Sequence, residues 1–303
     1  VRQSFHTTDI HEHASALPGW QQRYDQISCG RLDGFLEVTQ ADEVQLFRER
    51  LNQQVVQHLQ LPSGAANILI PLAWPKVDEQ GVISEHHPVV LPAISEYRVV
   101  SPAGMDVLCL SIPYATLCGL LDEPLLTALG RLHLSRRVSL APGQLAHGMR
   151  LLRRAMEGAR GESRWHTLEL KRELILLAVE WLESLFDHCE DLPRLTTRGY
   201  IVACCHQWLI EEPSRSPSVL ELCHRLKVSR RTLQYSFQSV ASMTPVQYLR
   251  SIRLNGARRA LKQEPTISIA DIAERWGFGH SSYFTMEYQK LFNELPSSLR
   301  QLQ

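Results

Sequence analysis

Two stretches in the last third of the chain repeat one pattern: SVLELCHRL at 218–226 and SIADIAERW at 268–276. Each opens on a serine with an acid three positions on, Ser218 with Glu221 and Ser268 with Asp271. Such a pair satisfies orphan N–H groups at a helix start, completely with Glu and more weakly with Asp. Each stretch then sets apolar side chains at i, i+3, i+4 and i+7: Val219, Leu222, Cys223 and Leu226, then Ile269, Ile272, Ala273 and Trp276. That spacing draws one apolar stripe along a short helix. A tight turn follows in both places (Lys227-Val228-Ser229 and Gly277-Phe278-Gly279), and then a helical segment rich in polar side chains. A short buried helix, a turn and a polar helix make a helix-turn-helix, whose second helix can enter a major groove. Two in tandem predict a chain that reads double-stranded DNA.

A net charge of zero over 303 residues looks wrong for a nucleic-acid binder until the chain is divided. Residues 193–303 hold 15 Lys and Arg against 8 Asp and Glu, and the remainder holds 17 against 24. The positive charge therefore sits with the tandem pattern, where phosphate contact requires it. The length allows two domains, and 44% hydrophobic residues suffice for ordinary cores. No apolar run is long enough to span a membrane, and no leader pattern stands at Val1. The seven cysteines lack any CxxC spacing, and most read as small core residues of a reducing cytoplasm. A redox pair at Cys204-Cys205 is the alternative.

Before the tandem region the pattern changes. Residues 1–33 are mixed and polar. From about 34 to 112, short β-branched or Leu-rich runs are punctuated by Pro and Gly, which predicts a small barrel or sandwich. Helices are expected at 114–122, 142–158 and 165–187. The last has two apolar faces: Leu170, Leu174, Leu177 and Trp181, and Leu168, Ile175, Val179, Leu182 and Phe186. The second face either meets a partner subunit, giving a homodimer, or is buried within a monomer. The boundaries follow: a domain at 1–192, a linker at 193–198, and a DNA-binding domain at 199–303 with helix-turn-helix units near 218–238 and 268–290. Pro245 starts an amphipathic helix near 245–262. At 1.5 Å per residue it spans about 27 Å, against about 34 Å for a turn of B-DNA, so it can hold two reading heads in adjacent grooves.

Residues 199–302 resemble the DNA-binding region of the AraC/XylS family of bacterial transcription regulators. The likeness is carried by Arg253-Leu254, Ala257, Ala260, Ile269-Ala270-Asp271-Ile272-Ala273, Trp276-Gly277-Phe278, Tyr283-Phe284, Tyr288 and Leu295-Pro296. In the first unit it is carried by residues 228–233, Phe237 and Met243-Thr244-Pro245. More narrowly, Thr7-Thr8-Asp9, Trp20-Gln21-Gln22, Tyr24-Asp25-Gln26 and residues 44–49 resemble the branch containing the ethanolamine-operon regulator and similar pseudomonad virulence and quorum regulators. The resemblance implies an α+β chain: an N-terminal cupin-like β-barrel that senses a small molecule or dimerises, with a helical dimerisation element, and a C-terminal all-α double helix-turn-helix. No cofactor is required. No motif identifies an effector, and that branch's ligands are not carried over. RNA polymerase is an implied partner.

The resemblance also implies that Arg231, Gln234 and Tyr235 face bases, with Ser229 and Arg230 at the start of the first recognition helix. The chemistry agrees: Arg donates twice to guanine, Gln suits adenine, and Ser at a helix start suits a phosphate. Arg230 and Arg231 touching phosphate alone is the plainer alternative. In the second unit the base-facing positions are Ser281, Ser282, Thr285 and Met286. Many family members have Arg where Met286 stands. Met cannot donate a hydrogen bond but can pack on a thymine methyl, so the first half-site is expected to be read more strictly; a core position for Met286 is the alternative. His280, Lys290, Arg250 and Arg253 are phosphate candidates, and Arg258 and Arg259 are solvated or form ion pairs. Enzyme readings fare worse. His11-Glu12-His13 and His86-His87 lack the further converging ligands a metal needs, and no GxSxG or GxxxxGK occurs. The expectation is a cytoplasmic regulator and not an enzyme. The other reading is a ligand-independent regulator whose N-terminal domain only pairs subunits or binds a protein.

Overall fold

The computed structural model describes residues 2–75, 87–91, 96–132, 135–157, 164–187, 197–215 and 217–300. The N-terminal part is built from strands β1 (Arg2–Thr7), β2 (Gln21–Gln26), β3 (Gly34–Ala41), β4 (Val44–Leu51), β5 (Val55–Gln60), β6 (Ala65–Ala73), β7 (Val89–Leu91), β8 (Glu96–Ser101), β9 (Met105–Pro113) and β10 (Arg136–Arg137). Helix α1 (Ile10–Ser15) lies between β1 and β2; α2 (Tyr114–Leu117), α3 (Glu123–Gly130), α4 (Pro142–Glu157) and α5 (Arg164–Asp187) follow β9.

The strands form two antiparallel sheets. One runs β1-β3-β4-β9-β6-β7-β10 and the other β2-β5-β8. The expected closed barrel is corrected to an open two-sheet sandwich, because hydrogen bonding does not continue from one sheet to the other among the described residues. The sheet also begins earlier than residue 34. Strand β1 pairs along its length with β3, and β2 with β5. Strand β1 is mostly polar because it is an edge strand with one half-buried face.

Alternation places Tyr24, Leu51, Val55, Trp74, Met105 and Val107 between the sheets. The outer face of the large sheet, with Leu46, Ile68, Ile70, Leu108 and Leu110, meets Leu174, Leu177, Trp181, Leu182 and Leu185 of α5 and Leu152 and Met156 of α4. Most of the second apolar face expected on α5 is thus covered within the chain: Leu182 is buried, and Ile175 and Val179 pack against the same core. Leu168 and Leu176 remain 43% and 50% exposed. The Phe186 side chain, His86 and most of the expected linker lie outside the described residues.

The C-terminal part is helical: α6 (Thr197–Glu211), α7 (Val219–Leu226), α8 (Arg230–Ala241), α9 (Pro245–Gln263), α10 (Ile269–Arg275) and α11 (Ser281–Phe292), closed by a 3-10 turn at Pro296–Arg300. The caps read from sequence are in place. Ser218 and Glu221 form a reciprocal capping box, Ser268 accepts from the Asp271 N–H, and Thr244 with Gln247 forms a second box ahead of Pro245. Leu209, Leu222, Leu233, Phe237, Tyr248 and Ile252 make one core. Leu254, Ala257, Leu261, Ile272, Phe284 and Tyr288 make the next. Helix α9 supplies side chains to both.

The second core needs Gly256, whose absent Cβ would lie 2.1 Å from the Trp276 ring. Gly256→Ala should therefore lower stability by about 1–3 kcal/mol through overpacking, despite alanine's better helix propensity. Urea unfolding followed by tryptophan fluorescence checks this; a variant as stable as the parent would mean that Trp276 has room to move.

Candidate nucleic-acid interface

Each helix-turn-helix presents its second helix with a polar, uncovered face. On α8, Leu233, Ser236 and Phe237 turn inward, leaving Arg230, Arg231, Thr232, Gln234, Tyr235 and Gln238 exposed. Ser229 is the N-cap, and its Oγ accepts from the Thr232 N–H at 3.0 Å. Tyr235 is 51% exposed, with the Arg198 guanidinium 4.3 Å over its ring. On α11, Phe284, Tyr288, Leu291 and Phe292 are buried. Ser281, Ser282, Met286 and Lys290 are exposed and Thr285 is half-buried, its hydroxyl donating to the Ser281 carbonyl at 2.9 Å. Met286 is 56% exposed, so it lies on the outer face and not in the core. His280 is the N-cap of α11 and makes no side-chain capping bond, which leaves that helix start open to an anion.

Two of the expected phosphate contacts are engaged inside the protein. Arg253 is 9% exposed and donates to the Gly277 carbonyl at 3.0 Å. Arg250 donates to Glu287 at 2.9 Å and lies 5.6 Å from the Tyr283 ring. Both tie α9 to the second unit, and Arg253 is corrected to a structural link. Sequence reasoning missed Arg198, Tyr283 and Glu287. The first lies in the expected linker. Tyr283 is 39% exposed beside two inward aromatic positions that drew attention away from it.

The N-terminal sandwich sits on the side of the C-terminal unit formed by α6 and α9. Arg258, 4% exposed at its side chain, donates to Asp9 at 2.6 Å and also to Glu294. Arg259 pairs with Asp25. Lys262 reaches Asp9 at 2.6 Å and Glu12 at 3.1 Å. Asn255 bonds both ways with the backbone of Gln26, at 3.0 and 2.7 Å. Arg98 donates to the Ala203 carbonyl at 3.2 Å. Ile27 and Val56 complete the first helical core.

The small sheet separates this seam from a cavity between the sheets. Along β2, β5 and β8 one set of side chains (Gln22, Tyr24, Gln57, Leu59, Tyr97, Val99) lines the cavity. The alternate set (Arg23, Asp25, Val56, His58, Arg98, Val100) faces α6 and α9. The cavity is small and partly open, with walls of Trp20, Phe47, Trp74 and other apolar side chains. One carboxylate enters it: Glu49, which accepts from Tyr24, from His13 Nε2 at 3.1 Å and from Gln57 at 3.5 Å.

Asp25, His58 and His206 bring one ligand atom each within 4.8 Å of one another, a cluster not foreseen from sequence. The two histidine rings lie 4.7 Å apart, and the His206 ring bonds Tyr248 Oη at 3.0 Å. Arginine N–H groups face both nitrogens of His58, from Arg23 and Arg98 at 3.3 Å each. A cation placed here would meet these and Arg259, so the donor set suits neutral imidazoles and not a metal. Of the histidines at 11 and 13, which the sequence reading set aside as metal ligands, His13 is engaged by Thr7 and Glu49. Cys205 is buried in the first helical core, and burial pushes its thiol up to about 12, which makes a redox pair with Cys204 a poor prospect.

Residues 222–302 match the family described as a helix-turn-helix domain. Over 155 residues the chain is 29% identical to the HTH-type transcriptional activator RhaS of Pectobacterium atrosepticum, covering 51% of this chain and 55% of that one. Over 93 residues it is 37% identical to RhaS of Pectobacterium carotovorum subsp. carotovorum, covering 31% and 33%. Over 96 residues it is 35% identical to the regulatory protein HrpB of Ralstonia nicotianae, covering 30% and 20%. The chain thus spans about half or less of the length of these curated relatives. Among solved structures, a transcriptional regulator with an AraC-type DNA-binding domain from Chromobacterium violaceum matches 34% of this chain and 90% of its own, at 26% identity and a TM-score of 0.32. The AraC-like transcriptional activator CuxR matches 91% and 100%, at 13% identity and a TM-score of 0.45. The C-terminal region is a helix-turn-helix DNA-binding domain.

The seam carries a pH dependence. Burial, and then the arginines around them, lower His11 and His58 to about 3; burial, and then His58 and the same arginines, lower His206. Burial alone would raise Asp9, but Arg258 and Lys262 hold it below the usual carboxylate range. A histidine kept neutral by docking contributes fully above its free value near 6.5 and progressively less as pH falls toward the docked value. At about pH 5 the loss at His58 alone is ~2 kcal/mol. The radius of gyration from small-angle scattering should grow between about pH 6.5 and pH 5. A radius unchanged over that range contradicts the seam's reliance on neutral histidines.

Proposed function

We propose that this protein is a sequence-specific transcription regulator that reads two adjacent major grooves with α8 and α11. The observation that carries the reading is the pair of helix-turn-helix units on one helix, α9, each with an uncovered polar second helix. Its 19 residues span about 28 Å, close to one duplex turn. Arg231, Gln234 and Tyr235 contact base edges, with Ser229 and Arg230 at the adjoining phosphate. Ser281, Ser282, Thr285 and Met286 face the second groove, where Met286 packs on a thymine methyl, and His280 and Lys290 hold phosphate. Arg250, paired with Glu287, contributes to the phosphate field at most from one side of its guanidinium.

The sandwich acts as a cupin-like sensor of a small molecule. The cavity behind the small sheet is the place for such a molecule, since an occupant there would press on strands whose other faces grip α9. Leu168 and Leu176 of α5 support a homodimer through that helix. RNA polymerase is the partner of an activator of this kind. The narrower likeness to the ethanolamine-operon branch rests on N-terminal residues alone and brings no ligand with it. No helix among the described residues is long and apolar enough to cross a membrane, which is compatible with action in the cytoplasm.

Selection of duplexes from random sequence with the full chain, followed by footprinting, tests the reading. Protection of two patches one turn apart on one face is expected, and protection of none overturns it. With the selected duplex, Arg231→Ala should cost about 1–3 kcal/mol and relax preference at one base pair, whereas Lys290→Ala should weaken all sequences alike and lower the salt slope by about one. Leu168→Glu combined with Leu176→Glu should shift sedimentation toward monomer without unfolding the chain. A dimer that survives this pair places the subunit contact elsewhere.

A further inference from the structure

One short segment of the N-terminal sandwich touches both reading heads. Ile27 is buried in the core of the first head, beside Leu209, Leu222 and Tyr248. Three residues on, the Gly30 N–H donates to the carbonyl of Leu291, near the C-terminus of the second recognition helix, at 2.9 Å. The Gln26 side-chain amide donates to the same carbonyl at 3.0 Å and to the Gly30 carbonyl at 2.7 Å. Between these points the Gln26 backbone is bonded in both directions to Asn255, a fully buried residue at the middle of α9. The last carbonyls of a helix lack partners within it, and here one of them is satisfied from another domain. The segment is itself held in shape. Ser28 Oγ bonds Gln53 at 2.6 Å and accepts from the Gln54 N–H at 2.7 Å. Gly30 sits at φ +127°, where a Cβ would in addition lie 2.7 Å from the Gln53 amide.

The two heads have separate cores, and α9 joins them. A helix fixes distance along its axis well, but the rotation of each packed head about it depends on what else restrains that head. We propose that the segment 26–30 is a splint that fixes the two recognition helices relative to each other, making Gln26, Ile27 and Gly30 positioning residues that set the half-site spacing the protein accepts. None of them touches the outer faces of α8 or α11; they act through α9 and the end of α11. This rests on the two-groove reading. Moving one half-site by a base pair displaces it by about 3.4 Å and turns it by about 35°, a change that a splinted pair of heads cannot follow and an unsplinted pair can.

The test uses the full chain and a duplex selected by it from random sequence. That duplex is resynthesised with the half-sites one base pair closer and one farther apart, and with the second half-site scrambled. Affinities are read by fluorescence anisotropy. The wild type should lose about tenfold at either altered spacing, since each ill-met base pair is itself worth a substantial factor. Gln26→Leu and, separately, Ile27→Ala should bind the original duplex more weakly but lose less than about threefold on changing the spacing, with affinity for the scrambled duplex held at the wild-type level. That last measurement separates a released head from a damaged fold. Variants that keep the full spacing penalty overturn the splint and leave the two-groove reading standing. A wild type indifferent to scrambling of the second half-site overturns the two-groove reading itself.

Discussion

Helix α9 is enclosed on every side along its middle, and the rest of the molecule is arranged around that fact. From Ser251 to Arg258 each of its residues is buried. Tyr248 and Ile252 belong to one helical core and Leu254, Ala257 and Leu261 to the next, while the remaining face meets the sandwich. A helix buried all round has no place for unpartnered polar groups, yet this one carries Asn255 and Arg258. Asn255 is met by the Gln26 backbone, and the terminal nitrogens of Arg258 by Asp9, Glu294 and the Tyr288 hydroxyl, its Nε alone being left without a partner among the described residues. Removing one member of such a set strands a charge in a poorly solvated place, which is far more harmful than the pair is beneficial.

This arrangement explains how a chain with no net charge can present a basic surface. The acidic surplus lies in the N-terminal part, and several of its carboxylates (Asp9, Glu12, Asp25) are placed against cations at the far end of α9. The cations they neutralise are those facing the sandwich. Arg230, Arg231 and Lys290, on α8 and α11, form none of these seam pairs and stay exposed. Opposite charges are sorted in space, so the field toward DNA remains positive.

Much of the C-terminal region was legible because its signals are local. Ser218 with Glu221, Thr244 with Pro245, and stripes at i, i+3, i+4 and i+7 act within a few residues, and the helices begin and end where those signals put them. The sandwich was only partly legible. Its strands were visible from 34 onward, but β1 and β2 were not, since Arg2–Thr7 and Gln21–Gln26 are largely polar runs whose place is decided by partners far along the chain. The seam was illegible for the same reason. Arg253, Arg258 and Arg259 look alike in sequence, and only the fold tells which is bonded to a carbonyl, which to two carboxylates and which to Asp25. Arg253, read as a phosphate ligand, is held by the Gly277 carbonyl because the turn after α10 brings that carbonyl within reach.

The strict alternation along β5 has a consequence for how such a protein changes over time. Gln57 and Leu59 belong to the chamber wall, while Val56 and His58 belong to the joint with the helices. Neighbouring codons thus specify two separate tasks. On the proposed sensing role, chamber preference can drift through every second position while the joint stays intact, so the coupling between them can be inherited by descendants that answer to unrelated chemicals.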